Sequence, residues 1–211
     1  MRDKGIKIKN TIKEHIINNS KEYIIIFIIF IIGIFLGVFF INNSNEETLT
    51  EITSYLSGFI DKMKNTSSLQ YVDLLKNSIF QNLILTISIW FFGTTVIGIQ
   101  IVFGLVLYRG FCLGYTISAC IAMMGLSKGI SFILLSLVAQ NLLAIPAILA
   151  LAVSGFKLYK SIVKDNRKEN IKLEFIRHTL FSILMLILLI ISSLTEVFIS
   201  TNALKGLIKY F

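Results

Sequence analysis

At 211 residues, with 55% hydrophobic and only 15% charged residues and a mean hydropathy of +0.79, the chain has too few ionic groups to coat a water-facing surface, which in soluble domains takes roughly 25%. The formal net charge of +8 does not indicate nucleic acid, because the lysines and arginines flank apolar runs, where membrane proteins keep them on the cytoplasmic side. Several runs exceed the length of about 20 apolar residues that crosses a bilayer, and none shows the dyad alternation of a barrel, so the expected fold is an all-α, polytopic helical membrane protein.

Residues 1–22 form a basic amino-terminal segment, with Arg2, Lys4, Lys7, Lys9, Lys13 and Lys21 against Asp3, Glu14 and Glu22. Ile6, Ile8, Ile12, Ile16 and Ile17 give part of an apolar stripe, which suits either a short helix on the inner membrane surface or a basic tail that fixes orientation. Residues 23–41 are almost unbroken Ile and Phe and predict a first transmembrane helix running from inside to outside. The run is long, lacks a small-residue cleavage site and ends in NNSNEE, unlike a signal peptide. Gly33 and Gly37 form a GxxxG step, which either admits a neighbouring helix at close range or is simply tolerated in lipid.

Residues 42–77 are polar and acidic in balance, as suits an extracytoplasmic segment. Leu49, Ile52, Leu56, Phe59, Ile60 and Met63 recur at helical spacing. This predicts an amphipathic helix that contacts an outer partner through Leu56, Phe59 and Ile60, or else packs back on the bundle or on lipid.

Residues 78–155 predict a glycine-rich membrane core of three spans. The apolar run from Ser78 to Tyr108 would make roughly 45 Å of helix, longer than a hydrocarbon layer of about 30 Å. Gly93, Gly98 and Gln100 mark where it would break, and Arg109 is expected at the inner boundary. The third span, Gly110 to Gly125, carries Gly110, Gly114, Ser118 and Ala122, a small residue at every fourth position, which predicts a close helix contact. Leu126 to Gly129, containing Lys128, is expected as a tight outer turn. The fourth span, Ile130 to Gly155, holds Gln140 and Asn141, with Pro146 beyond them. Amides at that depth either hydrogen-bond neighbouring helices or line a wet cavity.

Residues 156–177 are strongly basic and form a second cytoplasmic region. Residues 178–200 predict the last span, with His178 at the inner interface and Glu196 near the outer end. Residues 201–211 are an outer tail. Five spans, amino terminus in and carboxyl terminus out, accommodate every large charge cluster.

No catalytic constellation, metal motif or cofactor motif accompanies these spans, so an enzyme is not expected. Cys112 and Cys120 stand about 12 Å apart on one helix, too far for a disulfide within it. A small-molecule or ion transporter or channel is the alternative, with Gln140 and Asn141 on its path.

The order of a Gly-rich second span with Gly93 and Gly98, then RGFCLGYTI (Arg109 to Ile117), a short KG turn (Lys128, Gly129) and AQNLLAIPA (Ala139 to Ala147) resembles the stage II sporulation protein M family of endospore-forming bacteria. The basic amino terminus, first span, outer segment and length agree, so the resemblance covers nearly the whole chain. It implies a membrane component of the engulfment machinery, in the mother-cell membrane that migrates around the forespore. It also implies a role as the multispanning anchor of two peptidoglycan-degrading partners, stage II sporulation proteins D and P. The resemblance carries no catalytic residue.

Overall fold

The computed structural model describes residue 17 and residues 19–65, 70–134, 139–164 and 168–200. Every regular element among them is a helix: α1 (Ser20–Asn42), α2 (Glu46–Asn65), α3 (Gln70–Gly93), α4 (Gly98–Met124), α5 (Leu126–Ile133), α6 (Ala139–Lys164) and α7 (Lys168–Thr195), which ends in a π-helical turn, Glu196–Ser200. Four segments are long and apolar enough to cross a membrane: Ser20–Asn42, Gly98–Met124, Asn141–Val163 and Ile171–Phe198. α3 has 24 residues, but Lys76, Gln81 and Asn82 lower its hydropathy below that of the four.

The breaks between helices are written in small polar residues. α1 is apolar all round until Asn43 and Ser44, whose side chains donate to the carbonyls of Phe39 (2.9 Å) and Phe40 (2.7 Å). These bonds satisfy acceptors that a helix end leaves open. Between α3 and α4 the sequence GTTVIG stops one helix and starts the next. Thr95 Oγ1 donates to the Phe92 carbonyl at 3.1 Å and accepts the Gly98 N–H at 3.0 Å, in the manner of an N-cap. α4 ends at Gly125, whose φ of +78° is open to glycine without strain. The chain then turns back, so that Gly129 of α5 lies against the backbone of Cys120 and Ile121.

These boundaries correct two expectations. α4 runs unbroken through Arg109, so this residue lies within a helix and not at an inner boundary; no proline lies between Gly98 and Met124, and the arginine alone does not end a helix. The segment after Gly125, Leu126–Ile133, is helical instead of a tight turn, and helix is described again from Ala139. The basic region 156–177 is almost wholly helical, because α6 continues to Lys164 and α7 begins at Lys168. Residues 201–211 and most of 1–22 lie outside the described residues.

α6 is the most enclosed of the membrane-length helices: half of its apolar window is buried, against 28–33% for the others. Ala144, Ile148, Leu151 and Ala152 on α6 pack with Val102 and Val106 of α4, Ile89 of α3 and Leu189 of α7. α1 closes the bundle through Ile26 and Phe30. Its outward residues, including Phe35 and Phe39, are 70% and 65% exposed, a surface suited to hydrocarbon.

Candidate functional site

No catalytic cluster was expected, so the sites to be located are the small-residue faces, the intramembrane polar groups and the outer face. α1 has nearly the same hydrophobicity on every side, and its glycines mark the face that packs. A Cβ placed on Gly33 would strike the carbonyl oxygen of Leu107, and one on Gly37 that of Phe111. Reciprocally, Gly110 faces the Phe30 carbonyl and Gly114 that of Ile34. The structure therefore sets the GxxxG step of α1 directly against the first part of the α4 ridge, with no room for a side chain between backbones. Higher numbers pair with higher numbers, so the two helices run parallel. Ser118 extends the contact to the end of α1, its Oγ 3.4 Å from Asn42 Oδ1. Ala122, one turn further on, is exposed.

A second contact joins α3 and α7 by polar groups. Ser78 Oγ donates to Glu196 and lies 3.0 Å from Ser193 Oγ. Buried Asn82 donates through Nδ2 to Ser193 Oγ at 2.9 Å and to the Leu189 carbonyl at 3.4 Å. Trp90 Nε1 donates to Thr179 Oγ1 at 3.1 Å, so α3 and α7 are antiparallel. The backbone on either side of Arg109 of α4 faces Gly33, near the middle of α1. Replacing Asn82 by leucine should lower stability by about 1 kcal/mol, the range of interhelical hydrogen bonds in membrane proteins, as read from thermal unfolding in detergent.

His178, expected at the inner interface, is buried at 1% exposure. Its Nε2 lies 3.4 Å from the Trp90 carbonyl and its Nδ1 is 2.9 Å from Ser154 Oγ. A carbonyl only accepts, so the Nε2 contact requires its proton, while the Ser154 hydroxyl can serve either role at Nδ1. The ring is bonded on both sides. Gly93 and Gly155 make this possible by bringing α3 and α6 together beside the ring. The apolar pattern pointed to neither the histidine junction nor the Ser78–Asn82–Ser193 contact. The polar residues Ser78, Asn82, Thr86 and Trp90, recurring at helical spacing on α3, are the signal that identifies its packed face.

Asn141 lines an open groove of about 370 Å³ with Leu113, Ile117, Ile133, Ile145 and Pro146, a lining that is otherwise apolar. The Gln140 side chain lies outside the described residues, as do those of Leu56, Phe59 and Ile60, although the α2 backbone that carries the last three is helical. Where α1 passes into α2, Leu36, Phe39, Phe40 and Phe111 form the floor of a surface pocket rimmed by Asn43, Ser44, Asn45 and Thr48. Cys112 and Cys120 are free thiols.

The model of the stage II sporulation protein M family matches residues 26–201, a stretch that contains the α1–α4 seam, the α3–α7 contact and the histidine junction. No curated protein and no solved structure matches the chain. With five-sixths of its length covered by that match, and with its apolar helices suited to a bilayer, the chain belongs to the stage II sporulation protein M family.

Proposed function

We propose that the chain is a non-enzymatic membrane scaffold of the sporulation engulfment machinery. It anchors and localises peptidoglycan-degrading partners, the stage II sporulation proteins D and P, in the engulfing mother-cell membrane. The observation that carries this reading is the family match over residues 26–201.

The helix directions support a five-span topology of α1, α3, α4, α6 and α7. Parallel α1 and α4 require the chain to recross between them, and α3, about 36 Å long at 1.5 Å per residue, is long enough to do so. Lys160 of α6 pairs with Glu22 of α1 at 2.6 Å, which puts both basic regions on one side. The positive-inside rule makes that side cytoplasmic, with the amino terminus in, the carboxyl terminus out and α2 outside.

On this reading the bundle is a rigid base, and α2 is the element presented to partners through Leu56, Phe59 and Ile60. The apolar lining of the groove beside Asn141 favours the scaffold over a transporter, whose path would be wet.

The test is recovery of partners from sporulating cells with a tagged protein in mild detergent. Phe59→Asp combined with Ile60→Asp should reduce recovery of peptidoglycan hydrolases about ten-fold or more, the effect of losing a central apolar contact. The amount of inserted protein should not change. Unchanged recovery overturns the α2 site, and absence of hydrolases with the unaltered protein overturns the scaffold reading.

A further inference from the structure

The inner end of the bundle holds more ordered positive charge than orientation requires. Lys157, Lys160 and Lys164 follow one another at intervals of three and four on α6, which places them on one helix face. That stripe is flanked by α1 and α7, and a carboxylate from each neighbour pairs with it. On the α1 side, Glu22 pairs with Lys160 at 2.6 Å and also feels the charge of Lys21. On the α7 side, Glu174 is shared between Arg177 at 2.7 Å and Lys157 at 3.6 Å. At both places, among the described residues, one carboxylate faces two cations.

The depth of these cations is marked by aromatic rings. Lys160 Nζ lies 4.9 Å from the centre of the Phe156 ring, Tyr159 stacks on Phe156 at 6.0 Å, and half-buried Tyr23 follows Glu22. Tyrosines and lysine stems of this kind belong to the boundary between hydrocarbon and headgroups. The unbalanced cations therefore sit at the level of lipid phosphates. Arg177 and Lys157 keep 58% and 41% of their side-chain surface exposed, so their donors are not spent on Glu174.

We propose that this α6 ridge binds the phosphate of anionic phospholipids in the inner leaflet, with Lys157 and Arg177 as its principal contacts. Each carboxylate with its two cations carries one net positive charge, the complement of one phosphodiester. The positive-inside rule alone demands only that cations lie on this side of the membrane. It does not explain why those of three helices meet on one ridge. The inference rests on the amino-terminus-in topology proposed above and is independent of the scaffold role.

The experiment uses the purified full-length protein in phosphatidylcholine nanodiscs with and without phosphatidylglycerol, with retained lipid counted by native mass spectrometry after release. The unaltered protein should retain phosphatidylglycerol in preference to phosphatidylcholine, and high salt should abolish the preference. Lys157→Gln and Arg177→Gln should each reduce it about five-fold, the effect of one cation near an anionic surface. Lys128→Gln, on α5 at the other end of the bundle, should leave it unchanged. Equal retention of the two lipids by the unaltered protein overturns the proposal, as does a preference insensitive to salt or an equal loss with Lys128→Gln. The salt arm needs no variant, so a misfolded substitution cannot mask the outcome. No partner is present, so failure here leaves the scaffold reading intact, and failure to recover hydrolases leaves this one intact.

Discussion

Replacing Gly114 by leucine is expected to abolish most of the folded protein. A Cβ at this position already meets the carbonyl oxygen, carbonyl carbon and Cα of Ile34, all backbone atoms that no rotamer change can move. The added side chain must drive α1 and α4 apart along the whole seam, undoing the contacts of Gly33, Gly37 and Gly110 together. Overpacking a core usually costs 1–3 kcal/mol when side chains can adjust. Here they cannot, and the loss should be about 3 kcal/mol or more. The readout is the fraction of monodisperse protein after heating in detergent. Gly104→Leu is the matched control: it lies on the same helix, with no atom within 4 Å of its Cβ position, and should leave the melting point within a few degrees. Equal behaviour of the two variants would refute the seam.

The second large effect is expected at His178. Its ring satisfies the Ser154 hydroxyl and reaches the Trp90 carbonyl while filling the space beside Gly93 and Gly155. His178→Leu keeps much of the volume and removes both polar partners. Leaving buried groups unpaired costs about 1–3 kcal/mol each, so a loss of about 2–3 kcal/mol is expected. Adding Ser154→Ala to His178→Leu should recover part of that loss, because the orphaned hydroxyl is then gone. A double-mutant cycle in thermal stability measures the coupling. Strict additivity of the two substitutions would mean that the 2.9 Å contact contributes nothing.

Apolar runs and small-residue spacing made the helical membrane class readable, and the residues that bear the family resemblance are legible as a series. Gly33, Gly37, Gly110 and Gly114 stood out in sequence because a small residue at every fourth position has one simple physical use. Their mutual pairing was not readable, since nothing in a periodicity says which ridge meets which. Arg109 misled because a charge in an apolar run resembles a boundary, whereas the chain marks its boundary chemically, with the threonine that caps Gly98. His178 and Asn82 were obscured for a different reason. A histidine or an asparagine next to an apolar run has the same letter whether it faces water or a neighbouring helix, and only the partner, about 90–110 residues away in these cases, decides.

The parallel seam also constrains how the protein is made. Asn42 and Ser118, at one end of it, are 76 residues apart in the chain. A ribosome adding 5–20 residues per second leaves α1 in the bilayer for about 4–15 s before α4 arrives. During that interval the packing face of α1 is without its α4 partner. Its nearly unbroken Ile and Phe surface is what lets the first helix wait without its partner.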